Sequence, residues 1–201
     1  MEVVVLHVSD AHCATERLGA ILERAPQHDL VVATGDFQCL DTAEALLSRA
    51  RAPVVAVTGN MDDTSIARRL EEAGALLDGR YRAVAGLVLA GIGGRDPASS
   101  LDALRVRERP SGGPLVLVTH HPPKGLVDRS FIGIHAGLRE LRGLLEELRP
   151  VAHLCGHIHE ARGTARLGPT LVVNAGPAKK GYYAVVTIRG DTAEARLERL
   201  K

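Results

Sequence analysis

Five short runs rich in valine and other apolar residues, at 2–9, 29–34, 53–58, 115–119 and 151–155, constrain this chain more than any other feature. Each is apolar on both faces, the pattern of a strand buried on both sides. Between them, residues 15–25 place Leu18, Ile21, Leu22 and Ala25 on one helical face. Leu138, Leu141, Leu144, Leu145 and Leu148 form another amphipathic stripe, closed by Pro150. Asp41-x-x-Glu44 reads as a capping box that opens a helix carrying Ala43, Leu46, Leu47 and Ala50. Strands alternating with helices imply crossover connections and a largely parallel sheet. Residues 81–85 with 87–92, 164–167 with 170–174, and 181–188 with 192–198 read instead as hairpins, and predict a second sheet packed on the first. With 201 residues and neither an internal repeat nor a low-complexity segment, a single domain over 1–201 is expected.

The polar residues that matter sit where each buried run ends. The first ends in Ser9-Asp10-Ala11-His12, the second in Gly35-Asp36 and the third in Gly59-Asn60-Met61-Asp62. The fourth ends in His120-His121-Pro122 and the fifth in Gly156-His157-Ile158-His159. In a parallel sheet those ends share one edge, where open α/β folds bind ligands. Asp10, His12, Asp36, Asn60, His120, His157 and His159 are therefore expected in one crevice. Carboxylate, amide and imidazole donors without thiolate suit two divalent ions, with Asp36 able to bridge them through its two oxygens. Desolvating so many polar groups without metal or partners would be costly.

In order, D-x-H, G-D, G-N, a histidine after a strand and G-H-x-H resemble the calcineurin-like metallophosphoesterases over residues 8–160. Val173-Asn174-Ala175-Gly176-Pro177 is similar to a segment of the family's small members. The resemblance implies a four-layer αββα sandwich of the α/β class, with two mixed β-sheets flanked by helices. It implies that Asp10, His12, Asp36 and His159 hold one metal and that Asp36, Asn60, His120 and His157 hold a second. His120 is preferred to His121 because the family ligand lies two residues before the proline. The implied activity is hydrolysis of phosphomonoesters or phosphodiesters by a metal-bridging hydroxide. Two divalent ions (manganese, iron, nickel or zinc) are the implied cofactor, and a small phosphorylated molecule the substrate. One position departs. Many catalytic members carry a proton-donating histidine after G-N, whereas this chain has Met61, and a thioether donates no proton. His121, His135 and Asp62 stand as the candidate catalytic residues. The alternative reading is a non-catalytic scaffold for protein–protein interaction, as in the retromer subunit that resembles this family. The complete ligand set argues against it.

Composition narrows the partners. Lys+Arg 25 against Asp+Glu 24, with two Phe, three Tyr and no Trp, gives no electrostatic or stacking footprint for nucleic acid and none for an anionic membrane surface. No apolar run approaches the ~20 residues of a membrane span, and nothing at the N-terminus reads as a signal peptide, so a cytoplasmic location is expected. Cys13, Cys39 and Cys155 are odd in number and lack C-x-x-C spacing, which reads against a disulfide framework or zinc knuckle; Cys13 and Cys155 are expected to pack. His7 and His153 read as packed strand residues and His28 as a solvated loop residue. Arg95, Lys124, Arg129 and Arg162 are basic groups suited to phosphate, though each taken alone reads as a surface charge. Residues 122–136, too long for an ordinary connection, read as a lid over substrate.

Overall fold

In the computed structural model, which describes residues 2–200, the apolar runs become strands but divide between two sheets. β1 (Glu2–Val8), β2 (Leu30–Ala33) and β3 (Val54–Ala56) run parallel; β10 (Tyr182–Arg189) and β11 (Thr192–Arg199) extend the sheet antiparallel beyond β1. The second sheet comprises β4 (Tyr81–Val84), β5 (Leu87–Ile92), β6 (Leu115–Thr119), β7 (Ala152–Cys155), β8 (Gly163–Leu167) and β9 (Thr170–Asn174). Its order is β4-β5-β6-β7-β9-β8, parallel at the centre with an antiparallel strand at each edge. The expectation that all five motif strands share one sheet is therefore corrected. Three belong to the first sheet and two to the second.

Alternation along each strand builds the layers. Val3 and Val5 of β1 face inward and join Leu30, Val32, Leu89 and Val116 in a core between the sheets. Leu6 and Val8 point the other way, against α1 (Thr15–Arg24), α2 (Leu40–Arg49) and α3 (Thr64–Glu72). On the second sheet, Val88, Ala90 and Leu117 pack outward with residues of α4 (Pro97–Arg105) and α5 (Arg139–Leu148). Fully burying one such side chain is worth about 1.5–3 kcal/mol, so each outer helix is held mainly by its apolar stripe. The result is the expected four layers, αββα.

Three local readings change. The Asp41 capping box does not form: α2 begins at Leu40, its N-cap is Cys39, and no side chain caps it. His28 is half-buried rather than solvated, its Nδ1 hydrogen-bonded to the Pro26 carbonyl. Most consequentially, Cys13 and Cys39 form a disulfide across 26 residues with Cα atoms 5.1 Å apart, against the exclusion drawn from cysteine count. In the chain-entropy picture a loop of that size stabilises the fold by about 3.5 kcal/mol. Cys155 is free and buried. His7 and His153 are buried, as expected, each with one ring nitrogen on a threonine hydroxyl, Thr34 and Thr119 respectively. Among the described residues no helix is long and apolar enough to cross a membrane.

Candidate metal centre

The loops that leave β1, β2, β3, β6 and β7 converge, and their backbone is bent to make them do so. Asp10, His12, Asp36 and His157 all adopt positive φ, as do Cys13 and Gln38 beside them. Such left-handed residues are unfavourable for non-glycine side chains and gather where function over-determines them. Backbone bonds tie the first two loops together: Asp10 N donates to the Gly35 carbonyl and His12 N to the Asp36 carbonyl, at 3.0 and 2.9 Å. Two glycines permit the close approach. A Cβ on Gly59 would fall on the Asp36 carboxylate, and one on Gly156 would fall on Ser9 and Asp10.

Asp62 clamps the next loop. Its buried carboxylate accepts backbone N–H groups from Asp36 (3.0 Å), Gln38 (2.8 Å) and Gly59 (2.7 Å). Burial raises its pKa, partly offset by the bonds from Gln38 and Gly59. With its oxygens committed to the backbone, Asp62 sets the shape of the loops and is not poised to exchange a proton with substrate.

Two donor groups result, Asp10 with His12 and His159, and Asp36 with His120 and His157, their ligand atoms within 4.8 Å of one another inside each group. Asn60 joins the second, its Oδ1 2.8 Å from His120 Nε2. All seven ligand candidates are therefore brought together. The bridge differs from expectation. Asp36 Oδ1 accepts the Met61 N–H at 2.9 Å, while Oδ2 alone lies between His12 Nε2 (3.8 Å) and His120 Nε2 (3.5 Å). One oxygen, not two, faces both groups.

The donor chemistry fits cations. His120 Nδ1 lies 2.7 Å from the Thr34 carbonyl, which can only accept, so that nitrogen donates and Nε2 is the atom turned to the site. Nε2 faces the Asn60 carbonyl oxygen, Asp36 Oδ2 and, at 3.1 Å, His157 Nδ1. In the first group, His12 Nδ1 lies 3.1 Å from Gln38 Oε1, which directs His12 Nε2 toward His159 Nε2 at 3.0 Å and toward the Asp10 and Asp36 carboxylates at 3.8 Å. With these nitrogens unprotonated, their lone pairs and the carboxylate oxygens converge, and a cation placed among them would relieve the repulsion. Two metal ions of the kind that take nitrogen and oxygen donors would satisfy both groups. Burial opposes ionisation of Asp10, yet the hydrogen bonds from His159 and Ser9 and the nearby His120 hold it down at about 2. Burial, and then His120, lower the His157 pKa.

The other candidates scatter. His121 packs on His157 with ring centroids 4.4 Å apart, and burial followed by His120 and His157 lowers its pKa to about 3. His135 lies on the long loop, its Nδ1 2.7 Å from the buried Asp128 carboxylate, not on any ligand. Arg162 stacks on the Tyr182 ring at 4.5 Å and donates to the Glu198 carbonyl. Gln38 and Thr34 support the site without a motif of their own, and Asn174 does so from the 173–177 segment. Asn174 donates to the Gly156, Ile158 and Val127 carbonyls and so pins the loop that carries His157 and His159. For Gln38 and Thr34 the only sequence signal is adjacency to the Gly35-Asp36 motif.

A family model described as the calcineurin-like phosphoesterase superfamily domain matches residues 1–191. A UPF0046 protein of Caenorhabditis elegans is 39% identical over 66 residues, covering 33% of this chain; the chain spans about a fifth of that relative, 22% of its length. Among solved structures, a Thermus thermophilus protein superposes with a TM-score of 0.74 at 20% identity, covering 98% of this chain and 99% of that one. A structure described as a novel archaeal phosphodiesterase gives 0.63 at 15% identity, with 98% and 99% covered. Vps29 of Entamoeba histolytica complexed with zinc gives 0.54 at 16% identity, with 98% of each covered. At these identities the structural likeness speaks to fold alone.

Proposed function

Because the chain belongs to the calcineurin-like phosphoesterase superfamily, we propose that it hydrolyses phosphoesters at the paired donor groups. The observation that carries this reading is Asp36 Oδ2 standing between two sets of converging acceptors. When bound, a pair of divalent ions supplies Lewis-acid stabilisation of phosphoryl charge and makes a water nucleophilic at neutral pH. Everything else is the work of the chain. Gln38 and the Thr34 carbonyl fix the ring orientations of His12 and His120, leaving their Nε2 atoms free to ligate. Asp62 holds the Asp36 and Asn60 loops in register through three backbone bonds. These contacts preorganise the site, so little reorganisation remains when charge builds on the phosphoryl oxygens.

Proton delivery to the leaving group is the weak point. Met61, half-exposed beside Asn60, has no proton to give. His121, with its pKa near 3, is neutral at pH 7 and holds no acidic proton there. Esters whose leaving group departs unaided are therefore the better substrates. With Mn2+ added, p-nitrophenyl phosphate should turn over, and an alkyl phosphate should lag by about the 10²–10⁴-fold typical of a missing general acid. Met61→His should recover part of the alkyl rate and barely alter the aryl rate. Absence of metal-dependent turnover on either ester would overturn the hydrolase reading in favour of the scaffold. Equal effects of Met61→His on both esters would show that another group already serves as the acid.

A further inference from the structure

Among the described residues six large apolar side chains are exposed, and their distribution is uneven. Val106 lies elsewhere, at the end of α4. Two of the others neighbour ligand loops along the chain, and three share one loop tip. Met61 follows Asn60, and Leu40 lies two residues from Gln38, the residue at His12. Phe131, Ile132 and Ile134 crown the long loop that precedes α5, and they are 93%, 76% and 59% exposed. Scattered exposed apolar residues need no explanation, but a concentration of this kind marks a binding surface.

The long loop is built as a finger. At its base the buried Asp128 carboxylate accepts the Gly125 and Gly137 N–H groups at 2.9 and 3.0 Å and holds His135. Arg129 bridges His135 across the finger, and Ser130 N donates to the Ile134 carbonyl at 2.9 Å to close the tip. Gly133, at φ 83, makes the turn that sets the three apolar side chains outward. The finger is also bolted to the metal centre. Asn174 ties the Val127 carbonyl to the loop of His157 and His159, and the Phe131 N–H donates to Glu160, the residue after His159. An apolar tip is thus carried rigidly by the segment that supplies two ligands.

We propose that Phe131, Ile132 and Ile134, carried beside the loop of His157 and His159, form an apolar rim that selects phosphoesters bearing an alkyl or acyl chain. The proposal rests on the hydrolase reading for its phosphoryl anchor. The donor groups would hold the charged phosphoryl end, while the rim takes the apolar remainder of the same molecule out of water. Each methylene that reaches the rim should improve binding by about two- to fourfold, the lower value for partial burial and the upper for full burial.

The test uses n-alkylphosphonates from methyl to octyl, binding to the Mn2+-loaded protein by calorimetry below their micellar range, with p-nitrophenyl alkyl phosphate turnover measured alongside. Affinity should climb with chain length. The double variant Phe131→Ser with Ile132→Ser, both exposed and so harmless to folding, should flatten the climb while leaving methylphosphonate binding unchanged. A flat series in the wild type would overturn the proposal, as would equal losses at every length in the variant. So would self-association of the wild type that the double variant abolishes, which would assign the tip to a second copy of the chain. The two readings fail separately. Graded phosphonate binding without turnover would uphold the rim and remove the hydrolase. Turnover indifferent to chain length would do the reverse.

Discussion

Asp36→Asn is expected to remove both metal content and turnover in one step. The substitution keeps an oxygen for the Met61 N–H but removes the negative charge that faces both donor groups. Supporting residues around a metal ligand typically cost about 10–100-fold when altered, and a shared ligand should cost more than that. Metal-free stability should hardly change, because without cations the carboxylate is a buried charge among other acceptors. The check is elemental analysis after reconstitution, aryl phosphate turnover and a thermal midpoint in chelator. Near wild-type metal content and activity in the variant would contradict the assignment of Asp36.

Acid should unfold the protein well before its carboxylates titrate. Burial lowers His7 and His153 to about 3, and the Nδ1 of each ring has no partner to receive a charge. In the unfolded chain both rings would protonate near their ordinary value of about 6.5. Their folded pKa values are depressed, so the stability they support is complete above pH 6.5 and falls as pH drops from there toward 3. Each ring contributes about 1.4 kcal/mol per pH unit across that window. Two units of acidification therefore remove about 5 kcal/mol from the pair, comparable with the about 5–15 kcal/mol that holds a domain together. Urea midpoints at pH 7 and 4.5, in chelator so that metal release does not add to the slope, would show the loss. Equal midpoints would mean that both rings already find a proton partner in the fold.

The convergence of the seven candidate ligands was legible because strand composition and strand end speak together. Val-rich runs such as 29–34 demand burial, and the polar residue that ends each run has to emerge at the strand's C-terminal edge. The division of those runs between two sheets was not legible from the motifs, because β1 takes β10 as its other neighbour while β6 and β7 pair with β5 and β9. α3 leaves little trace in the sequence, since only Ile66 and Leu70 of its nine residues are buried, too few to make a stripe. α4 carries a readable signal, Asp96 as N-cap before Pro97. The Cys13–Cys39 bond depends on the loops after β1 and β2 lying side by side, a tertiary fact that cysteine counting does not contain. Asp62 shows the same limit. Its place beside Asn60 suggested chemistry, whereas three backbone N–H groups occupy its carboxylate.

Anomalous diffraction from crystals soaked in Mn2+ tests the proposed dinuclear centre most directly. Two manganese peaks per chain are expected, about 3.5–4 Å apart. One should lie among Asp10, His12 and His159, the other among Asn60, His120 and His157, with Asp36 Oδ2 between them. A single peak, or none while all seven side chains keep their places, would contradict it.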